Sequence, residues 1–182
     1  MAGEIPSPVL LTERLALFRF TLDDAPFAMA LVNDPSFVQY IGDKGVRTLD
    51  DAREYLRKGP LASYERHGFG LFKVVRRADA APVGMCGLLK RDTLDDVDLG
   101  YAFLPAFWSN GYALESVAAV IDYGRLQHQL ARVVAIVQAD NLPSIRVLER
   151  SGFTFERDIQ LAPDAQALQL FGRSQLAVGS RR

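Results

Sequence analysis

The polar segment Trp108-Ser109-Asn110-Gly111-Tyr112-Ala113 lies between two patterned apolar runs, and its composition suits chemistry better than packing. Before it, Val97, Leu99, Tyr101 and Phe103 alternate with Asp98, Gly100 and Ala102, which is the period of a strand. Pro105 stops that strand, because proline fixes φ and has no amide donor. After the segment, Leu114, Val117, Ala118 and Ile121 recur at helical spacing, and the helix is predicted to end near Gly124. A strand that breaks into small residues and feeds a helix leaves several N–H groups unpaired at the positive end of the helix dipole. Such donors suit phosphate oxygens. The plain alternative is an ordinary crossover turn. A dinucleotide fingerprint is excluded, since G-x-G-x-x-G is lacking, and so is a Walker loop, since no Gly-Lys-Ser/Thr follows.

Other reactive side chains are sparse. Asp92, Asp95, Asp96 and Asp98 cluster, but without the glycine and terminal glutamate of a calcium loop. A solvated turn or an acidic lip attracting a cationic amine explains them better, and no metal is expected. His67 and His128 are isolated, and His128 near a helix end suits the dipole there. Cys86, in an apolar strand, reads as core; a single cysteine allows neither an internal disulfide nor a multi-cysteine metal site. A net charge of −1 supplies no field to hold nucleic acid. No charged-then-apolar leader opens the chain and no apolar run approaches membrane-spanning length, so a cytoplasmic location without membrane contact is expected.

The elements that must position the polar segment can be read in order. Residues 1–11 look loosely tied, and 15–20 alternate as a strand. Thr21 with Asp24, and Thr48 with Asp51, are helix-start signatures; Asn33-Asp34-Pro35 and Gly59-Pro60 close the helices that follow. A short helix over 61–66 ends at Gly68. Residues 69–76 and 82–91 form a hairpin, and the acidic turn leads into the strand at Val97. The Val/Ile run 131–138 reads as a strand buried on both faces. Asp140 or Asn141 caps a helix with Pro143 in its first turn, and Gly152 ends it. Strands follow at 153–159 and 168–171, then a frayed tail over 173–182. At 182 residues the expectation is one α/β domain with a mixed sheet of six or seven strands and helices on both faces.

The pattern GY-x5-FW-x2-GYA-x-E, from Gly100 to Glu115, resembles the acyl-CoA-binding segment of the GCN5-related N-acetyltransferase (GNAT) superfamily. It is most similar to the branch that acetylates N-terminal amines of ribosomal proteins. Asn141-Leu142-Pro143-Ser144-Ile145-Arg146-Val147-Leu148-Glu149 with Ser151-Gly152-Phe153 resembles that branch's N-x-x-S-x-basic-V-L-E…G-F helix, and Thr12-Glu13-Arg14-Leu15 its T-E-R-L opening. Three motifs in order cover nearly the whole chain. The resemblance implies a mostly antiparallel sheet in which two neighbouring strands splay apart around acetyl-CoA.

It also implies an acetyl-CoA-dependent N-acetyltransferase in which a primary amine, on a protein N-terminus or a small molecule, attacks the thioester directly. Such transfer needs a held cofactor, a neutral amine, a donor for the oxyanion and a proton for the departing thiolate. The amides of Ser109, Asn110, Gly111, Tyr112 and Ala113 would bind the pyrophosphate. Main-chain groups of Leu99, Tyr101 and Phe103 would pair with the pantetheine arm as an added strand does, and one N–H there would meet the oxyanion. Asn141 would bond the same arm, with helix capping as its plain alternative, and Arg146 would reach a phosphate. Ser144 would protonate the thiolate; Asp98, where the branch usually has glutamate, would accept the amine's proton through water. Two positions depart from the family: Ser109 replaces a glycine and Asn110 a basic residue, each weakening CoA binding by about 1 kcal/mol. Those departures keep a second possibility open, a non-catalytic acyl-CoA-binding module on the same fold. Phe37, Tyr40 and Tyr64 lie where the family lines its acceptor pocket, or else they pack the core. The family's fold often pairs, so monomer and homodimer both remain.

Overall fold

Helices begin where the capping signatures stand. In the computed structural model, which describes residues 7–175, Thr48 and Asp51 exchange the two bonds of a capping box (3.1 and 2.8 Å) and start α3, Leu49–Leu56. Asp24 accepts from the Thr21 amide at 2.9 Å, and a single 3₁₀ turn there leads into α1, Ala25–Val32. Asp34 caps α2, Pro35–Tyr40. Gly59-Pro60 does not stop the chain's helical course. The backbone widens into a π turn over Arg57–Leu61, which accommodates the missing proline donor, and continues as α4, Ala62–His67. Gly68 ends α4 at φ 75°, a conformation costly for any residue with a Cβ.

Among the described residues eight strands form one sheet rather than six or seven: β1 Leu10–Leu11, β2 Leu15–Arg19, β3 Leu71–Arg76, β4 Ala81–Leu89, β5 Val97–Phe103, β6 Arg132–Val137, β7 Thr154–Ile159 and β8 Leu168–Ser174, in the spatial order β1-β2-β3-β4-β5-β6-β8-β7. The extra strand is Leu10–Leu11, paired antiparallel to β2, so the described part of the chain's start is tied down from Val9 onward. At the other end β8 is longer than expected. It includes Arg173 and Ser174, and the Gln175 amide bonds the Ala131 carbonyl at 2.7 Å, so only 176–182 of the expected tail fall outside the described residues. β7, at the sheet edge, is exposed along almost its whole length. Every pairing is antiparallel except β5 with β6.

Helices cover both faces. On one, α5 (Tyr112–His128) and α6 (Leu142–Arg150) bury Val117, Val120, Ile121 and Leu148 against Phe72, Val74, Cys86 and Leu88. α5 runs four residues past Gly124, because Gly124 packs against Leu88 and Leu130 inside the helix and Gln129 takes the left-handed cap at φ 54°. On the other face, α1 and α3 bring Ala28, Leu31, Ala52 and Leu56 onto Leu71 and Met85. β6 is buried on both faces at Val133, Val134 and Ala135, as its unbroken apolar run implies.

Tyr64 belongs to the core, not to a pocket. Its hydroxyl accepts from the Phe20 amide at 3.1 Å and donates to the Leu71 carbonyl, joining α4 to the ends of β2 and β3. Removing that hydroxyl leaves two buried main-chain groups unpaired. Tyr64→Phe is therefore expected to lower unfolding stability by about 1–3 kcal/mol, measured by urea denaturation.

Candidate active site

The sheet opens between β5 and β6. The two strands pair only at Val97 with Val133 and Asp98 with Val134, whereas β4 stays with β5 as far as Phe103. Main-chain groups along a strand face alternate edges. The Leu104 amide donates to Val83 on β4 at 3.0 Å, so the N–H and C=O groups of Phe103, Tyr101 and Leu99 face the opposite edge, into the gap. The Phe103 carbonyl is already taken there by the Trp108 indole N–H (2.8 Å), which leaves that residue's N–H alone to offer. The side chains of Leu99 and Phe103 are core. A cleft of about 1150 Å³ follows the gap from the start of α5 to the α2–α3 side of the sheet.

At the mouth of the gap the loop turns into α5 through two left-handed residues, Ser109 (φ 61°) and Gly111 (φ 78°). Serine pays about 1 kcal/mol that glycine would not. Among the described residues no main-chain carbonyl accepts from the amides of Ser109, Asn110 or Gly111, and no side chain caps Gly111. Tyr112 and Ala113 add the unpaired donors of a helix's first turn. The Asn110 side chain folds back onto the Phe107 and Trp108 carbonyls (3.1 and 2.9 Å) and stiffens the loop. These residues fit a diphosphate: a row of donors, the positive end of a 17-residue helix, and no internal acceptor to compete.

The loop is clamped from the far end of the sequence, a connection the sequence motifs did not reveal. Glu115 accepts from the Thr12 hydroxyl (2.6 Å), the Arg14 amide (2.9 Å) and Arg14 Nε (2.7 Å). Arg14 Nη1 reaches the Asn110 carbonyl at 2.8 Å, and its guanidinium lies 4.8 Å from the centre of the Tyr112 ring. Burial pushes the Glu115 carboxyl up, but the bonds from Thr12 and Arg14 outweigh it and the net shift is downward. The threonine and arginine of T-E-R-L and the glutamate of GYA-x-E thus form one structural unit across the sheet.

Asp98 and Ser144 lie against opposite faces of β5. Asp98 is 1% exposed, on the side of α1 and α3, and Arg91 Nε donates to its Oδ2 at 2.6 Å. Its Oδ1 is buried without a hydrogen-bond partner among the described residues, and the residue lines the cleft. Burial raises its pKa from 3.8 to about 6, opposed by the charge and hydrogen bond of Arg91 and by the Ile136 amide, which approaches the carboxylate. On the other face the Tyr101 hydroxyl meets Ser144 Oγ at 2.7 Å and donates to the Ser144 carbonyl at 3.1 Å. Burial pushes the Tyr101 phenol well up, so it stays protonated. Asn141 does cap α6: its Oδ1 accepts from the Ser144 amide at 3.3 Å. Arg146 is exposed on α6 and lines the cleft. Phe37, Tyr40 and Tyr55 line the cleft on the α2–α3 side, and the Tyr101 phenol, Arg91 and Tyr55 are the groups there that sequence reasoning passed over.

Two members of the acidic cluster are met by cations. Asp96 pairs with Arg132 at 2.9 Å, Lys90 Nζ holds the Leu94 and Asp95 carbonyls at 2.7 Å, and Arg91 holds Asp98. Asp92 and Asp95 are exposed and form no salt bridge among the described residues, where no group of potential metal ligands assembles. His128 packs edge-on against Phe69 and Tyr123 (5.1 and 4.9 Å). Cys86 is fully buried, as its apolar strand implies. No helix among the described residues is long and apolar enough to cross a membrane.

A forked sheet with a donor-rich helix start at the fork defines a cleft for an extended, phosphate-bearing acyl carrier. The acetyltransferase (GNAT) domain family matches residues 14–154, and the chain belongs to that family. It is an acetyl-CoA-dependent N-acetyltransferase. Among curated relatives, the uncharacterized N-acetyltransferase p20 of Bacillus licheniformis is 30% identical over 148 residues, covering 81% of this chain and 83% of that one. A GNAT-family acetyltransferase from Bacillus anthracis superposes with a TM-score of 0.75 at 25% identity, over 91% of this chain and 97% of the other. The ribosomal alpha-N-protein acetyltransferase RimL, in complex with coenzyme A, shares the fold (TM-score 0.80) at 18% identity, over 92% and 98% of the two chains.

Glu115→Ala removes the acceptor that fixes Thr12 and Arg14 against the loop without touching the loop amides. The expected outcome is a roughly tenfold rise in the CoA dissociation constant by calorimetry, about the 1.4 kcal/mol that a charge-assisted contact contributes.

Proposed function

We propose that the cleft holds acetyl-CoA along the open edge of β5 and delivers the acetyl group to a primary amine resting against Asp98, by direct attack in a ternary complex. The observation that carries this reading is the parting of β5 from β6. It leaves one row of strand donors and acceptors, continuous with one row of helix N–H groups, facing a single cleft. In this reading the amides of Ser109 to Ala113 bind the diphosphate. Leu99 and Tyr101, with the Phe103 N–H, pair with the pantetheine amides. Asn141, its oxygen committed to the α6 cap, contributes its Nδ2, and Arg146 meets a phosphate. Acetyl-CoA supplies the activated acyl group; what the chain adds is orientation and proton traffic.

Asp98 Oδ1, buried and without a partner, takes the proton of the acceptor ammonium, directly or through one water. The Arg91 bond keeps the carboxylate ionised enough at neutral pH to serve as a base despite its burial. On the opposite face Ser144 gives its proton to the departing thiolate and regains one from water, while the Tyr101 hydroxyl, 2.7 Å away, holds its Oγ in place. The amine thus adds to the carbonyl from one side of β5, and the tetrahedral intermediate expels the thiolate, which is protonated from the other side. The acceptor is a protein N-terminus or a small amine. RimL, by its name, acts on a ribosomal protein, and that fold likeness supports the first; the relative p20 carries no named acceptor.

Free-thiol release from acetyl-CoA against a panel of amines and N-terminal peptides tests the transfer. Cofactor binding with no turnover on any acceptor would instead favour the non-catalytic module. Two expectations refine it. Because a base works only when deprotonated, kcat/KM should climb with pH up to about 6 and level above it on account of Asp98. Asp98→Asn should abolish that acid limb and lower kcat/KM by about 10²- to 10⁴-fold; an unchanged profile overturns the role. Ser144→Ala should reduce kcat about a hundredfold while the KM for acetyl-CoA holds, read from steady-state kinetics.

A further inference from the structure

The face of the sheet that carries Asp98 is apolar around it. β4 and β5 pair Leu89 with Asp98, Gly87 with Gly100 and Met85 with Ala102, and residues opposite one another in an antiparallel ladder share a face. Asp98 therefore stands in a floor of Leu89, Gly100, Ala102 and Met85, all of which line the cleft. A Cβ at Gly100 would meet Leu89 Cδ1 at 2.8 Å, so only glycine fits beside that leucine. The facing wall is α2. Gln138, just beyond β6, donates from Nε2 to the Gln39 carbonyl at 3.1 Å and ties that helix across the gap. Phe37 joins one core cluster with Met85, and Leu89 and Ala102 pack at its margin. Beside these contacts Val38, on α2, and Ile41, at its end, line the cleft yet stay 39% and 43% exposed. Large aliphatic side chains left open opposite an apolar floor gain free energy when something apolar covers both. Two cations, Arg91 and Lys44, and two carboxylates, Asp98 and Asp34, line this end, so it offers no net charge to an ionic substituent. Arg91 Nε binds Asp98 Oδ2 at 2.6 Å, and the other oxygen, Oδ1, is buried without a hydrogen-bond partner among the described residues.

We infer that the acceptor is a primary amine on an apolar carbon chain: Asp98 Oδ1 takes the ammonium, while Leu89, Met85 and Ala102 on one side and Val38 and Ile41 on the other enclose the chain. This rests on the acceptor position proposed above and narrows it. One charged contact fixes the nitrogen, and burial of the carbon chain supplies the rest of the affinity and the selectivity. An acceptor with a second charge near its nitrogen would give up water for walls that have no counter-charge to return. A free alkylamine has this chemistry, and so does a protein N-terminus whose first residue carries a large aliphatic side chain. The alternative is that Val38 and Ile41 are ordinary surface residues and that the floor only packs the core beneath α1 and α3. In that case the length of the carbon chain would not matter.

Thiol release from acetyl-CoA at one fixed pH separates the two. One arm uses ethylamine, butylamine and hexylamine, which share nearly one basicity and differ only in carbon chain; the other uses tripeptides opening on leucine or on glycine. The expected result is a kcat/KM that rises roughly threefold per methylene, or about tenfold or more from the glycine to the leucine peptide. The arm that shows the rise identifies a free amine or a protein N-terminus. Val38→Ser and Ile41→Ser, both at exposed positions, should each shrink that ratio by about threefold, and Ile41→Leu should keep it, a contrast that a merely structural role would not produce. A flat series in both arms, a ratio unmoved by both serine variants, or faster turnover of putrescine than of butylamine overturns the inference while leaving acetyl transfer standing. No turnover with any acceptor overturns both.

Discussion

The main-chain groups left unpaired where β5 leaves β6 are the constraint around which the rest is arranged. Buried or half-buried backbone donors and acceptors must find partners, and a sheet that forks exposes a row of them. Elsewhere the protein answers such needs internally: Tyr64 bridges Phe20 and Leu71, and Trp108 covers the Phe103 carbonyl. Along Leu99 to Phe103 and across the start of α5 it does not, and the two unsatisfied rows meet at one cleft. A ligand that is amide-rich along its length and doubly anionic at one end answers both.

Holding that opening in shape takes stabilisation from outside it. Ser109 sits in a left-handed conformation that its Cβ disfavours, and the loop has no capping side chain of its own. Glu115, Thr12 and Arg14 supply the missing rigidity. They tie the loop and the first turn of α5 to the strand beginning at Leu15 through bonds of 2.6 to 2.9 Å. The clamp lets the amides face outward without collapsing onto nearby carbonyls. It also shows how a departure from glycine is tolerated, since the strain is offset by neighbours and the donors survive.

The same division of labour holds around Asp98. Taking a carboxylate almost wholly out of water is unfavourable, and its pKa stays raised to about 6 even after Arg91 opposes the shift. The Arg91 bond and the nearby Ile136 amide offset part of that cost, and the second oxygen makes no hydrogen bond among the described residues. Groups so displaced near neutrality are suited to move protons, and a group satisfied on all sides would be inert. On the opposite face burial likewise pushes the Tyr101 phenol up, so it stays protonated beside Ser144.

Local chemistry wrote much of this plainly. The capping box of Thr48 with Asp51, the strand period from Val97 to Phe103, the glycine that ends α4 and the small residues before α5 each act within a few residues, so their outcome was legible in the chain. So was the expectation of outward-facing amides at Ser109 to Ala113, because a helix start leaves donors unpaired whatever surrounds it. The misses arose where distant parts meet. Pro60 widens a helix instead of ending it, because tertiary packing of α3 and α4 outweighs a single lost donor. Leu10–Leu11 and Arg173–Ser174 join the sheet through partners far along the chain, which no local pattern displays. Nor does spacing show that Arg132 and Arg91 meet two members of the aspartate cluster, Asp96 and Asp98. By itself the amino-acid sequence determined the elements, their order and, through its motifs, the kind of ligand. Tertiary structure alone decided that β5 and β6 part after Asp98, that Glu115 grips Thr12 and Arg14, and that Asp98 and Ser144 address one gap from opposite faces. Those facts depend on contacts between residues tens to a hundred positions apart, and spacing along a chain does not encode which of them will touch.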